Sequence, residues 1–354
     1  MNRAAGWGHI VTRNPLVLVL VPMVVYFQLA TGQFFTSDNI RGIALDSAVL
    51  AIIAVPGALL LISGYLDLSV GSTLSLGAVV AASFMVTHGS VAAVAIIGAV
   101  VVGALVGVAN GLLCSLLNLS PFIVTLGTLT AVRGLDLLLS PLPLSGFGDS
   151  FDSIGGGVVA GVPVPVIIAA AVIVSGSVYL AFTPSGRYVY AIGVNREAAF
   201  LSGIAVRRLP LLLYVASGAA AALAGVIQAA RLDSAPAGSL GTQFELTVLT
   251  AVLLGGVAFT GGAGSIFGVV LGVLFLGCLQ NGLTQLNVPD AWQQIIRGLA
   301  LVAAAGLALF HLPSGVARRL LGSRPAASPR SAAETVEPAP TEQARPMPAA
   351  AADD

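Results

Sequence analysis

Lysine is absent from the 354 residues, and all 15 basic side chains are arginine. The phosphate-binding P-loop of ATPases needs a lysine between a glycine and a serine or threonine, so the chain cannot hydrolyse ATP by that route. Its formal net charge is zero, and it has no basic patch of the kind that binds nucleic acid. We therefore expect a protein that is neither an ATPase nor a partner of nucleic acid.

Charge of either sign is scarce. Charged residues make up 8% of the chain, whereas soluble domains carry roughly 25%. Hydrophobic residues make up 57%, and the mean hydropathy is +0.98. This composition excludes a soluble globular protein and indicates a polytopic membrane protein.

Cysteine and histidine are also rare. Cys114 and Cys278 both fall in apolar helical stretches, which favours packing roles over a disulfide. The three histidines are scattered near the ends of apolar segments, so we expect no metal site and no cofactor. The apolar segments also lack the paired aspartates or His/Glu set that an intramembrane enzyme needs, which argues against an enzyme.

Apolar runs long enough to cross a bilayer fill most of the chain. A span needs about 20 mostly apolar residues, and ten such segments predict an all-α membrane protein with about ten transmembrane helices. The third runs from a polar break at 64–73 to about His88. The other nine are at about 15–31, 43–62, 91–117, 121–139, 163–182, 210–230, 244–259, 265–285 and 293–311.

Arginine placement predicts the orientation, because cytoplasmic loops are enriched in basic residues. Arginines cluster before the first segment, at 187–208 and after the tenth segment. Six and then four crossings separate these clusters, so all three can face the cytoplasm. We therefore predict a cytoplasmic N-terminus at 1–14, a membrane domain at 15–312 and a cytoplasmic, disordered tail at 313–354, where Ala, Pro, Glu, Ser and Thr dominate. Loops 140–162 and 231–243 then face outward.

A polar island at 184–209 is the long internal interruption that carries several arginines. Within it, Asn195 to Ser202 predicts one short helix, with Asn195 as the N-cap, Glu197 near the positive end of the dipole and Gly203 as the left-handed stop. A helix of this length is not stable alone in water, so it needs a docking surface. The alternative is a well-capped surface turn.

A few polar groups lie at membrane depth, where each needs a partner or a wet path. Asp67 either caps the helix that follows it or lines a vestibule. Arg133 and Asp136 lie three residues apart and are expected to form a salt bridge. The candidates for a solute path are Asp67, Ser69, Ser72, Thr125, Thr128, Gln280 and Asn281.

Glycine and alanine crowd the apolar segments, which favours closely packed helices in a compact bundle or dimer. Residues 59–77 and 252–272 both consist of an apolar helix, a glycine-rich break with serine and a second helix of small residues. This echo fits the duplicated halves of many transporters. Chance similarity in so biased a composition is the alternative.

Several stretches in this order resemble the permease subunits of bacterial ABC importers for monosaccharides, the ribose/xylose/galactose branch of binding-protein-dependent systems. The resemblance covers roughly Leu45 to Leu309. The matching stretches are Gly64–Ser72, Pro121–Thr128, Gly193–Ile204, Gly225–Leu232, Val252–Gly256 with Gly261 and Gly262, and Gln280–Leu283. The C-terminal tail and the absence of lysine are departures that leave these stretches intact.

The resemblance implies an importer in the bacterial inner membrane that is driven by separate subunits. The implied partners are a second permease, identical or homologous, two cytoplasmic ATP-binding-cassette subunits and an extracytoplasmic solute-binding protein. The family's cytoplasmic coupling helix maps onto Asn195–Ile204 of the island. The implied coupling residues are Asn195, Arg196, Glu197, Ala198, Ala199, Phe200, Ser202 and Gly203.

Two other functions remain open on the sequence. A permease of the same family could carry another small polar solute, such as a quorum signal or a nucleoside. An ion-coupled secondary carrier is the second alternative, although such carriers more often place several acidic groups inside their spans.

Overall fold

Helices form nearly all of the regular structure, as expected for segments that must satisfy their own backbone hydrogen bonds in lipid. The computed structural model describes residues 16–89 and 91–310. These residues lie in one unit, Met1–His311, and the second unit, Leu312–Asp354, is outside them. The predicted segments 1–14 and 313–354 therefore lie outside the described residues.

Thirteen α-helices and four two-residue strands can be numbered along the described chain. The helices are α1 Leu16–Thr31, α2 Ser37–Ile62, α3 Val70–Val86, α4 Ala92–Gly111, α5 Pro121–Leu139, α6 Asp149–Gly155, α7 Val164–Phe182, α8 Pro184–Val194, α9 Arg196–Leu201, α10 Arg208–Leu232, α11 Phe244–Leu254, α12 Ile266–Gln285 and α13 Asp290–Phe310. A π-helical turn, Leu112–Leu116, continues α4. The strands are β1 Leu144–Ser145, β2 Val158–Val159, β3 Val162–Pro163 and β4 Ser234–Ala235.

Each of the ten predicted segments lies on a helix, with two clear differences at the boundaries. Helix α2 begins at Ser37 rather than 43, with Asp38 in its first turn, where the helix dipole favours an acid. Helix α11 ends at Leu254 rather than 259. It stops there because Gly256 takes a left-handed conformation, with φ of +82°, directly after the C-cap.

Six described helices are long and apolar enough to cross a membrane. They are α2, α4 with its π-helical turn, α5, α7, α10 and α12. Helices α1, α3 and α11 are apolar but shorter, at 10–17 residues. The protein is therefore a multi-pass membrane protein.

The core forms around α2 and α10. Helix α2 is buried over most of its length, and α10 packs against α2, α3 and α4. In helices α4, α5 and α7, by contrast, only 22%, 17% and 22% of the span is buried, and each has exposed apolar side chains. These exposed faces need lipid or another subunit to cover them.

Helices α4 and α10 cross at unusually short range. A side chain at Gly103 would place its Cβ 2.3 Å from the carbonyl oxygen of Gly218, and one at Gly218 would lie 2.1 Å from the oxygen of Gly103. Neither position has room for a methyl group, because the opposing atoms are backbone.

The two loops predicted to face outward pair with each other. Strands β1 and β4 are antiparallel, with Leu144 opposite Ala235 and Ser145 opposite Ser234. The backbone N–H of Phe147 donates to the Asp233 carboxylate at 2.9 Å. Segments 140–162 and 231–243 therefore form one connected surface, although about 90 residues separate them in the sequence.

Candidate functional site

The polar island folds as two short helices rather than one. Helix α8, Pro184–Val194, was not predicted, although its start has a clear signal: Thr183 accepts a hydrogen bond from Gly186 N–H at 3.0 Å and Pro184 occupies the first turn. Helix α9 follows, and its predicted caps are confirmed. Asn195 Oδ1 accepts from Ala198 N–H at 3.0 Å, and Gly203 is left-handed with φ of +80°.

Helix α9 has an exposed face and an inward face. Phe200 and Leu201 expose 64% and 80% of their surface, and Glu197 is also exposed. Ala199 is buried, with only 4% of its surface exposed, so its side chain packs into the protein rather than toward a partner. Asn195, Ala198, Ser202 and Gly203 are exposed. The exposed apolar Leu201, and Val194 just before the helix, were missing from the predicted coupling residues.

Arg196 lies on α9 but points inward. Its guanidinium donates to Asn118 Oδ1 and, at 3.3 Å, to the carbonyl oxygen of Ser115. The guanidinium carbon lies 5.8 Å from the centre of the Tyr65 ring, a distance typical of cation–π contacts. The Ser115 hydroxyl in turn donates to the carbonyl oxygen of Arg207 at the end of the island.

The two glycine-rich breaks of the sequence echo meet beneath the island. We name residues 63–69, between α2 and α3, the first break and residues 255–265, between α11 and α12, the second break. Gly262 N–H in the second break donates to the carbonyl oxygen of Ile62, directly before the first break, at 2.7 Å. Gly193 of α8 packs against the backbone at both places. A Cβ at Gly193 would be 1.9 Å from Ile62 O and 2.4 Å from Gly262 N.

Tyr190 adds a second contact between α8 and the second break. Its hydroxyl donates to the carbonyl oxygen of Gly264 at 2.8 Å. Burial raises the pKa of Tyr190 above the ordinary value for tyrosine. The phenol therefore stays protonated at neutral pH and remains a donor. Island and breaks thus form one connected structure.

The first break holds a buried carboxylate. Asp67 is 9% exposed, and its Oδ1 accepts from the Ser69 N–H at 3.0 Å and from the Ser69 hydroxyl at 2.6 Å. Its Oδ2 accepts from the Ser217 hydroxyl of α10 at 2.8 Å. The capping interpretation is wrong in its detail, because Ser69 is the N-cap of α3 and no side chain of the described residues caps that helix; Asp67 instead holds the N–H and hydroxyl of the N-cap residue itself.

The hydrogen-bonded chain continues from Asp67 into α4 and α5. The Asn110 amide donates to the Ser69 hydroxyl at 2.9 Å, and the Thr128 hydroxyl donates to Asn110 Oδ1 at 2.7 Å. Asn110 is fully buried. Three of the predicted path residues, Asp67, Ser69 and Thr128, therefore lie in one network with Asn110 and Ser217, which the sequence analysis did not single out. We name these five residues the Asp67 network.

The other predicted path residues lie elsewhere. Ser72 and Thr125 donate to carbonyl oxygens within their own chain segments, Ser69 O at 2.9 Å and Pro121 O at 2.8 Å. Gln280 is exposed and lines a cleft beside α10. Asn281 donates to Asn39 Oδ1 at 2.8 Å. The seven candidates are thus not a single site.

The predicted salt bridge between Arg133 and Asp136 is wrong. Arg133 donates to the carbonyl oxygen of Leu240 at 2.6 Å. Asp136 accepts from the Ser75 hydroxyl at 2.5 Å and from Gly238 N–H at 2.8 Å. Both side chains hold the loop before α11, because that loop returns between α3 and α5 and offers partners that sequence spacing cannot show.

A cleft of about 360 Å³ opens beside Arg196. It lies between the island, the two breaks and the turn that joins α4 to α5. Polar groups line much of it, including Ser63, Asn118, Ser120, Asn195 and Thr260.

The comparisons with known proteins place most of the described chain in one family. Residues 39–305 match the family described as the permease component of the branched-chain amino acid transport system. No solved structure matches the chain.

Similar proteins include three sugar permeases. The chain is 35% identical to the ribose import permease protein RbsC of Haemophilus influenzae over 302 residues, which cover 84% of this chain and 93% of that protein. It is 36% identical to the D-allose transport system permease protein AlsC of Escherichia coli over 311 residues, 86% of this chain and 93% of that protein. It is 34% identical to the galactose/methyl galactoside import permease protein MglC of Salmonella typhimurium over 82% of this chain and 92% of that protein. The chain therefore belongs to this family of ABC import permeases, and proteins similar to it include permeases for ribose, allose and galactose.

Proposed function

We propose that the chain is the transmembrane subunit of an ATP-driven importer for a monosaccharide in the bacterial inner membrane. The observation that carries the proposal is about 35% identity to ribose, allose and galactose permeases over more than four fifths of the chain. The family description names branched-chain amino acids. We favour a sugar because the individual relatives with near-complete coverage are sugar permeases.

The proposed arrangement has ten membrane-spanning helices, with both ends of the chain in the cytoplasm. Six helices long and apolar enough to cross and three shorter apolar helices lie at nine of the predicted segments, and the tenth segment lies on α13. Segment 15–312 is the permease domain, 1–14 its cytoplasmic start and 313–354 a cytoplasmic tail. The close crossing at Gly103 and Gly218 supports packing through small residues.

Helix α9 with its caps, Asn195–Gly203, is the part of the island that we propose as the docking site for two ATP-binding-cassette subunits, one on each copy of a permease dimer. The chain has no phosphate-binding lysine, so in an ATP-driven importer another protein has to hydrolyse the ATP. Helix α9 offers exposed Phe200 and Leu201 beside the exposed acid Glu197. Exposed aromatic and aliphatic anchors of this kind dominate the energy of protein interfaces.

An extracytoplasmic solute-binding protein would meet the paired outer loops. Strands β1 and β4 join segments 140–162 and 231–243 into one surface, so a single partner can contact both. Sugar released there would pass through the membrane domain near the Asp67 network when the cassettes drive the permease open.

Transport by the chain alone is the decisive test. Reconstituted in vesicles by itself, the chain is expected to move none of the radiolabelled sugars D-ribose, D-allose and D-galactose. With its cassette subunits and binding protein, and with ATP, it is expected to accumulate at least one of them. Accumulation by the isolated chain under a proton or sodium gradient would contradict the proposal and favour an ion-coupled carrier.

The exposed face of α9 gives a second prediction. Replacing Phe200 and Leu201 together by aspartate is expected to weaken the affinity of the permease for the cassette subunit by about tenfold or more, because buried apolar anchors would be replaced by charges. Affinity can be measured with detergent-purified components by surface plasmon resonance. Phe35→Asp is the matched control, since Phe35 is also an exposed aromatic but lies before α2, outside the island. Equal affinities of the double variant and wild type would contradict docking through this face.

A further inference from the structure

Arg196 is placed differently from the exposed residues of α9. Its guanidinium contacts Asn118, Ser115 and Tyr65, which are all outside the island. A planar guanidinium presents five donors in a fixed fork and stacks on aromatic faces, so it can hold two acceptors and one ring at once. Arg196 therefore fixes α9 to the turn between α4 and α5 and to the first break.

The acceptor in Ser115 belongs to the π-helical turn Leu112–Leu116. In such a turn the Leu117 N–H donates to Leu112 O, one residue further back than in an α-helix. The irregular end of α4 leaves the Ser115 carbonyl oxygen available to Arg196. It also places the Ser115 hydroxyl on the carbonyl oxygen of Arg207, the N-cap of α10, so the start of α9 and the end of the island both connect to this turn.

Tyr65 leads from Arg196 to the buried carboxylate. It is 5% exposed, and its ring meets the Tyr214 ring edge-on, with centroids 6.1 Å apart. The Tyr214 hydroxyl donates to the carbonyl oxygen of Leu66 at 2.9 Å. Arg196 thus contacts Tyr65, and Tyr214 contacts both Tyr65 and Leu66. The next residue along the backbone is Asp67.

From Asp67 the connection spreads to three helices. The Asp67 network includes Asn110 of α4, Thr128 of α5 and Ser217 of α10. A displacement of Tyr65 would therefore move Asp67, whose carboxylate holds Ser217 of α10 and also Ser69, the residue to which Asn110 donates.

The cleft beside Arg196 gives the side chain room to move. Arg196, Tyr65 and Asn118 all line it. A push on the exposed face of α9 can therefore move the guanidinium off its acceptors without forcing it through packed side chains.

We infer that Arg196 is a positioning residue that transmits movement of α9 through Tyr65 and the first break to the Asp67 network. The inference rests on the proposed function, since it assumes that a cassette subunit pushes on α9. It assigns the two faces of α9 different tasks: the exposed face binds the partner, and Arg196 connects that binding to the membrane helices.

Four variants test this inference in the assembled complex of permease, cassette subunits and binding protein. Arg196→Gln and Tyr65→Leu remove the contact, Tyr65→Phe keeps the ring, and Arg187→Gln is the control, because Arg187 is exposed on α8 of the same island. The main readout is the ratio of ATP hydrolysed to sugar imported, using whichever of D-ribose, D-allose and D-galactose the wild type carries. Hydrogen exchange of residues 63–69 is measured on the same complexes.

Arg196→Gln and Tyr65→Leu are each expected to raise the ratio by about tenfold, while cassette binding stays at the wild-type level. The double variant should be no worse than either single one, because both changes remove the same contact. Exchange of residues 63–69 should be faster in both variants and unchanged in Tyr65→Phe and Arg187→Gln.

An unchanged ratio in Arg196→Gln, or ratios that multiply in the double variant, would overturn the inference. If Arg196→Gln does not assemble, Arg196→Lys is used, with an intermediate ratio expected and a wild-type ratio counting against the inference. If the wild-type complex imports no sugar, the proposed function fails, and the exchange rates of residues 63–69 then decide the inference separately. Equal rates in wild type and Arg196→Gln would overturn it.

Discussion

Gly193→Val is expected to abolish sugar uptake and to destabilise the permease strongly. A Cβ at this position would lie 1.9 Å from Ile62 O and 2.4 Å from Gly262 N, well inside van der Waals contact. Both atoms are backbone, and Gly262 N–H is already hydrogen-bonded to Ile62 O at 2.7 Å. The added side chain would have to separate α8 from both breaks. Overpacking of this kind costs about 1–3 kcal/mol, and more where backbone has to move.

Thermal unfolding in detergent and uptake by the assembled complex would both measure this effect. Gly42→Ala is the matched control, because Gly42 also lies in a helix but a Cβ there would meet no atom within 4 Å. Alanine at that position should leave both measurements unchanged or slightly raise the melting temperature, since alanine favours helix. Wild-type uptake by Gly193→Val would mean that α8 need not contact the breaks.

Asp67→Ala is expected to lower the stability of the permease by about 3 kcal/mol or more, because it leaves buried donors without an acceptor. The Ser69 N–H, the Ser69 hydroxyl and the Ser217 hydroxyl all donate to this carboxylate. Ser69 and Ser217 are themselves buried, so water does not replace the lost acceptor. We also expect sugar uptake to fall, since the start of α3 loses its link to α10.

Asp67→Asn separates the shape of this side chain from its charge. The amide oxygen can still accept from Ser69, and the Ser217 hydroxyl can rotate to accept from the amide N–H. We therefore expect Asp67→Asn to retain most of the stability that Asp67→Ala loses, as measured by thermal unfolding in detergent. Equal melting temperatures for Asp67→Ala and wild type would contradict the structural role of the network.

Local sequence signals predicted the helices and their ends well. Each apolar segment lies on a helix, and the Asn195 cap and Gly203 stop of α9 are confirmed. These features depend on residues that are close together in the chain. The missed helix α8 had such a signal as well, a threonine cap followed by proline, but the arginines around it favoured interpretation as a loop.

Contacts between distant segments were not predictable in the same way. Arg133 and Asp136 are close enough to pair on one helix, yet each binds the loop at 238–240, about 100 residues away in sequence. The Asp67 network needs Asn110 and Ser217, and neither carries a motif that marks it. Ala199 is buried because that side of α9 packs into the protein. Such partners depend on how helices cross, which a single sequence does not specify.

The pairing of β1 with β4 limits how this permease can be recombined with its relatives. A chimaera that takes residues 140–162 from another permease but keeps its own 231–243 would put foreign residues opposite Ser234 and Ala235. Its foreign backbone would also have to place the N–H of residue 147 on the retained Asp233 carboxylate. Under the proposed docking of a solute-binding protein on these loops, retargeting the transporter to the binding protein of another importer requires both segments to be exchanged as a matched set.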